Sequence, residues 1–140
     1  MDIITKRIKL NTKGDTDIID ITDKVKDIVS NSKIKDGIIT IFVPGSTGGL
    51  TTVEYEPGLI NDLKTYFEKI APKSGTYQHN LRWHDGNGYA HVRASLLGPD
   101  LTVPFVNNQL MLGTWQQIVF IDFDNRPRSR ELIVQILGKE

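Results

Sequence analysis

Leu101-Thr102-Val103-Pro104-Phe105-Val106-Asn107-Asn108-Gln109-Leu110-Met111-Leu112 reads as two strands folded back on each other. Residues 101–106 are β-prone, Asn107-Asn108 is two-residue turn chemistry, and residues 109–112 carry the chain back. Such a hairpin places antiparallel pairing in the second half of the chain. Residues 117–123 and 131–137 add two more β-prone runs, separated by the basic turn Arg126-Pro127-Arg128-Ser129-Arg130. Residues 90–97, just ahead of the turn Gly98-Pro99-Asp100, are expected to form a further strand.

The first half carries the helices. In residues 3–10, Ile4, Ile8 and Leu10 alternate with Thr5, Arg7 and Lys9, the pattern of a half-buried strand. Turn residues 11–15 and a short strand at residues 17–21 would complete a hairpin with it. Thr22-Asp23 starts a helix whose stripe is Val25, Ile28 and Val29. Residues 38–43 are apolar on both faces, which predicts a strand covered on both sides. Residues 50–56 read as another strand, with Glu54 and Glu56 on one face. Pro57-Gly58 opens the clearest helix: Leu59, Ile60, Leu63, Tyr66, Phe67 and Ile70 recur at helical spacing, and Pro72 closes it. The expected architecture is one α+β domain over residues 1–140, a bent and mostly antiparallel sheet with two helices packed on one side.

Composition narrows the function. The chain has 140 residues, 39% hydrophobic and 24% charged, the profile of a soluble globular domain. Lys plus Arg equals Asp plus Glu at 17 each, so no net field recommends a nucleic acid or an anionic membrane as partner. Cysteine is absent, which excludes disulfides, thiolate metal sites and thiol catalysis. Residues 1–7 read as a strand rather than a signal peptide, and no run approaches the roughly 20 apolar residues of a membrane span. A cytoplasmic location is the expectation.

Every histidine lies in residues 77–91, as His79, His84 and His91. Their His-x4-His-x6-His spacing is not a standard zinc motif. Asp85-Gly86-Asn87-Gly88 is turn chemistry that would bring His84 towards His91, with His79 on the strand or loop leading in. Three imidazoles and a water would make an open divalent-metal site, zinc first, with Glu54 or Asp85 as extra ligand or base. Two other readings stand beside it: His84 and His91 as acid/base groups without metal, and histidines that merely bond to backbone. The loop Gly45-Ser46-Thr47-Gly48-Gly49 can offer N–H groups and hydroxyls to an anion, although it has neither a P-loop ending nor G-x-G-x-x-G. Its alternative is a plain strand connection. Arg126, Arg128 and Arg130 suit phosphate oxygens or simply solvate a turn, and Arg82 and Arg93 add cations near the histidines. Trp83 and Trp115 would stack on a ligand ring or be buried.

Taken as an ordered set, several stretches carry a resemblance. They are His79-Asn80, Asp85-Gly86-Asn87-Gly88-Tyr89-Ala90-His91, Leu97-Gly98-Pro99, Leu112-Gly113-Thr114-Trp115-Gln116 and Pro127-Arg128-Ser129-Arg130. With them the chain resembles the YjbQ family over nearly its whole length. The resemblance implies an α+β homotrimer with a site built from His79, His84, His91 and Glu54. It also implies a weak thiamine-phosphate synthase-like transferase activity, joining a pyrimidine diphosphate to a thiazole phosphate. Ser46, Thr47 and Arg128 would then hold a small phosphorylated molecule, and Glu54, His84 and Asp85 would do the chemistry, with no organic cofactor. One departure stands out. Many members of that family carry His-Thr-Thr-Ala-Ala where this chain has Gly45-Ser46-Thr47-Gly48-Gly49.

Overall fold

The computed structural model describes all 140 residues. In chain order the elements are β1 (Asp2–Thr12), β2 (Asp17–Asp20), α1 (Thr22–Ser30), β3 (Asp36–Phe42), β4 (Gly48–Val53), α2 (Pro57–Ile70), α3 (Gln78–Trp83), α4 (Gly88–Leu97), β5 (Asp100–Val106), β6 (Gln109–Leu110), β7 (Gln117–Asp122) and β8 (Arg128–Lys139). Five strands form one sheet in the order β1-β8-β3-β5-β6, and three form another in the order β2-β7-β4. All pairings are antiparallel. The β5–β6 turn is as read: Asn107 and Asn108 both take left-handed φ, at 50° and 64°.

Three layers result. Pleat alternation sends Ile39, Ile41, Val103, Leu132, Val134 and Ile136 to one face of the large sheet, where they meet Leu50, Ile118 and Phe120 of the small sheet. Val25 and Val29 of α1 close this main core from the side. The opposite face of the small sheet, through Val119 and Ile121, packs on Tyr89, Ala90 and Ala94 of α4. Ile60, Leu63 and Phe67 of α2 cover the same cluster. The outer face of the large sheet has no cover: Ile3, Ile38, Phe42 and Leu137 are 38–66% exposed. No helix is long and apolar enough to cross a membrane.

The α+β reading holds, and six local expectations change. There are four helices rather than two. β1 and β2 do not form a hairpin; β1 pairs with β8 in one sheet and β2 with β7 in the other. The strand covered on both faces is β7, whose residues 118–122 are all buried, and not β3. The strand expected over residues 50–56 ends at Val53, and Glu56 instead caps α2 by accepting from the N–H groups of Gly58 and Leu59. Residues 90–97 are helical, as is the segment leading into the central turn. Helix α2 begins and ends as read, but Tyr66 and Ile70 point to solvent rather than into the core.

Candidate functional site

The inward row of β8 runs Ile136, Val134, Leu132 and then Arg130 and Arg128, so the core face ends in two guanidiniums. The facing row of β7 runs Ile118, Phe120 and then Asp122, followed by Asp124 just past the strand. Both carboxylates have no exposed side-chain surface. Phe123 between them is pinned in the second core, its ring edge-on to Phe67 at 4.8 Å. An acid–arginine plate therefore seals the end of the main core.

Every carboxylate oxygen on that plate is satisfied. Asp122 accepts from Arg130 Nε (2.8 Å), Arg130 Nη2 (2.9 Å), Thr12 Oγ1 (2.6 Å) and the Asp124 N–H (3.0 Å). Asp124 accepts from Asn87 Nδ2 (3.2 Å), the Asn125 N–H (2.8 Å), Thr47 Oγ1 (3.2 Å) and Arg128 Nε (2.9 Å). Burial pushes the Asp124 carboxyl up, but the Asn125, Asn87 and Arg128 donors outweigh it and hold the group below its ordinary value. The hydrogen bond to Asp122 keeps Arg130 firmly charged. Each arginine spends Nε and Nη2 on the plate. The Nη1 of each has no partner within the chain, and that of Arg130 lies beside Gly45.

Above the plate is a cavity of about 380 Å³. Gly45, Ser46 and Thr47 form one wall; His79, Trp83, Asp85 and His91 form the other. Two glycine contacts set this shape. A Cβ on Gly88 would sit 2.6 Å from Tyr77 Cβ, so only glycine lets α4 start this close to α3. A Cβ on Gly48 would sit 2.6 Å from the Phe120 ring, so Gly48 is a packing residue of β4 rather than part of a loose anion loop. Asn80 Oδ1 accepts the Gly88 N–H at 2.9 Å and fixes the two helices. Their imidazoles then meet: the rings of His79 and His91 are 4.2 Å apart, tilted by 40°. His79 Nδ1 lies 3.5 Å from Asp85 Oδ1, is cut off from solvent and makes no hydrogen bond. Burial, then the neighbouring His79, lowers the pKa of His91, so it is neutral at pH 7.

The cavity thus gathers Ser46, Thr47, His79, Asp85, His91 and Arg128 from the residues singled out in the sequence. His84 is not among them; it is exposed and ends α3 in the left-handed conformation, φ 57°. Glu54 is exposed beyond the far end of β4, about 20 Å of extended chain from Gly48. No three His, Asp or Glu groups converge on a common point, so the three-histidine metal cluster is not assembled in this arrangement. Arg93 is a structural cation. It is 4% exposed and bonds to the Ala71 carbonyl, Thr16 and Glu68. Arg126 and Trp115 lie outside the cavity, and Trp115 is 72% exposed. Asp122, Asp124 and Asn87 were missed. A usable signal existed: acids at 122 and 124 share one strand face, and arginines at 128 and 130 share another.

The family model described as UPF0047 protein YjbQ-like matches residues 6–139. A UPF0047 protein of Methanothermobacter thermautotrophicus is 37% identical over 99% of this chain and 95% of its own length. The UPF0047 protein YugU of Bacillus subtilis is 33% identical over 95% of this chain and 98% of its own. Among solved structures, a YbjQ-like protein of unknown function from Sulfolobus solfataricus superposes with a TM-score of 0.93 at 36% identity, over 99% of both chains. A YjbQ/UPF0047 protein of Clostridium acetobutylicum gives 0.86 at 38% identity, over 94% of this chain and 99% of that one. The match spans both sheets, the plate and the imidazole pair, and the chain belongs to the YjbQ-like UPF0047 family.

Proposed function

We propose that this protein is a small-molecule enzyme whose substrate carries a phosphate. One observation supports this above the others: two arginines are fixed on buried carboxylates, each with an Nη1 to spare, at the floor of a cavity whose wall is an imidazole pair. Rigid guanidinium donors suit phosphate oxygens, and the Ser46 hydroxyl can add a contact, while Thr47 holds Arg130 and Asp124 in place. His91, neutral at pH 7, can accept a proton, while His79 Nδ1 lies beside Asp85 Oδ1. Two adjacent imidazoles resist double protonation, which suits division into acid and base. The finer reading is a thiamine-phosphate synthase-like transferase, which rests on the family resemblance. Complementation of a strain lacking the main synthase tests it; failure there and no turnover in vitro remove that label.

The site itself has its own test. Inorganic phosphate should raise the Tm of the native protein, and Arg128→Ala should abolish the rise. An unchanged Tm in saturating phosphate would refute the anion reading. A phosphate-dependent rise with no turnover of any phosphate ester would point instead to a non-catalytic phosphometabolite-binding protein.

A divalent metal is a second reading, motivated by the orphaned His79 Nδ1 and its closeness to His91. It requires a side chain to rotate, because no ligand trio is preformed. Metal analysis of untagged protein decides it: no bound zinc and no uptake on titration end that reading. The homotrimer is likewise a proposal. The row Ile3, Leu137, Ile38 and Pro104 on the uncovered sheet face supports self-association, and Ile38→Asp should yield monomers in sedimentation. A cytoplasmic location is proposed on the same footing.

A further inference from the structure

Asn87 occupies the N-cap position of α4, where an asparagine ordinarily turns its side-chain oxygen back onto the free N–H groups of the first turn. Here it makes no capping bond, and the Gly88 N–H goes to Asn80 Oδ1 instead. The Asn87 amide is engaged on the plate, with Nδ2 donating to Asp124 Oδ1 at 3.2 Å. That contact fixes which way the amide points. An ionised carboxylate only accepts, so asparagine must offer its NH2 and turn its carbonyl away from the plate. Asn87 is 6% exposed and lines the cavity, yet its Oδ1 has no donor anywhere in the chain. One other buried side-chain atom shares that condition, His79 Nδ1, and it belongs to a residue of the same cavity. His79 can turn towards Asp85, 3.5 Å away. Asn87 has no such freedom while Nδ2 is held on Asp124, and a buried carbonyl without a donor is rare.

We propose that Asn87 is the specificity-determining acceptor of this cavity: its Oδ1 takes a hydrogen bond from an anion oxygen that still carries a proton. The inference rests on the phosphate reading above and adds how the site chooses among tetrahedral anions. Arg128 and Arg130 only donate, and so favour any oxyanion of suitable shape. A fixed, buried acceptor beside them acts the other way. It is satisfied by an O–H, whereas a bare oxygen meets it lone pair to lone pair and leaves it unpaired. Doubly charged phosphate keeps one O–H, while sulfate of the same shape and charge has none. The site therefore selects a proton-bearing phosphoryl group over sulfate, and a phosphate ester binds with one proton retained.

The experiment is calorimetric titration at pH 8 with phosphate, sulfate and fluorophosphate, all present as dianions. Fluorophosphate has fluorine in place of the hydroxyl, so it removes the proton while keeping phosphorus at the centre. Phosphate should bind the native protein about tenfold or more tightly than either of the other two. Asn87→Ala should bring the three affinities within about threefold of one another. In that variant Asp124 keeps the Asn125, Thr47 and Arg128 donors, and circular dichroism checks that the chain is folded. Should it not fold, the native series decides alone, because it needs no substitution. Equal affinity of the native protein for phosphate and fluorophosphate overturns the role of Asn87 and leaves the anion site standing. A folded Asn87→Ala that keeps the preference does the same. Failure of the native protein to bind any of the three anions overturns the anion site and this inference together.

Discussion

Asp124→Ala is the most informative single perturbation, because it separates the plate's structural role from that of any one arginine. The carboxylate has no exposed surface and satisfies Asn87, Thr47, the Asn125 N–H and Arg128. Its loss strands two buried side-chain donors and leaves Arg130, 3.9 Å away, with Asp122 alone. Breaking a buried charged network from one side costs about 3–5 kcal/mol. Arg128 contributes little to that figure, since its side chain is 34% exposed and can turn to water. For a chain of 140 residues the unfolding entropy is about 0.3 kcal/mol per kelvin, so Tm should fall by about 10–17 °C.

Arg128→Ala serves as the control and should cost only about 1 kcal/mol, because Asp124 keeps its other donors. Urea unfolding at pH 7 with fixed m-value gives both numbers. The pH dependence has a definite sign. The folded Asp124 carboxyl is held below its ordinary value, so its contribution is complete above an unfolded pKa of about 3.9 and fades as pH falls below that. The gap between native protein and Asp124→Ala should therefore narrow in acid. An Asp124→Ala loss under about 1 kcal/mol, or one equal to that of Arg128→Ala, would refute the plate as the organising element.

Two further outcomes follow from titrating groups. Anion binding beside His91 should favour its protonated form, so sulfate affinity should rise as pH falls through the region below 6.5, by at most tenfold per pH unit; His91→Gln should flatten the curve in calorimetric titration. Tyr89 is fully buried and bonded to Asp15 at 3.0 Å, and burial together with that bond raises its pKa. The unfolded chain ionises first, so stability is complete below pH 10 and should drop by up to about 1.4 kcal/mol per pH unit above it, a slope that Tyr89→Phe removes from urea unfolding curves.

Much of the sheet was legible locally, because half-buried strands such as β1 and turns such as Asn107-Asn108 carry their signal in adjacent residues. Helix α4 was not, and the reason is specific. Its exposed positions include apolar Val92 and Leu96, while its buried face includes Arg93. That pattern cancels the helical period. Arg93 is tolerable only because Thr16, 77 residues away, and Glu68 supply its partners. The imidazole pair was legible as a crowd but not as a geometry, since His84 is closest in sequence and furthest from the cavity's chemistry.

The plate carries this point further. Its acid–arginine pairs are only 4 and 8 positions apart, but the bonds to Asn87, Thr47 and Thr12 join residues 37, 77, 83 and 110 positions apart, so no short window of sequence contains the whole plate. What does contain it is register. Arg128 faces inward because it pairs with Thr12, and Arg130 because it pairs with Leu10. A slip of one residue in the β1–β8 ladder would turn both guanidiniums outward and bring Ser129 onto the core face. Asp122 would then lose the guanidinium that meets both its oxygens and Asp124 its ion-pair partner, leaving two buried carboxylates without countercharge. The ion pairs that shape the anion site thus also penalise the wrong strand pairing, and the residues best placed to bind a substrate are the ones that hold the two sheets in register.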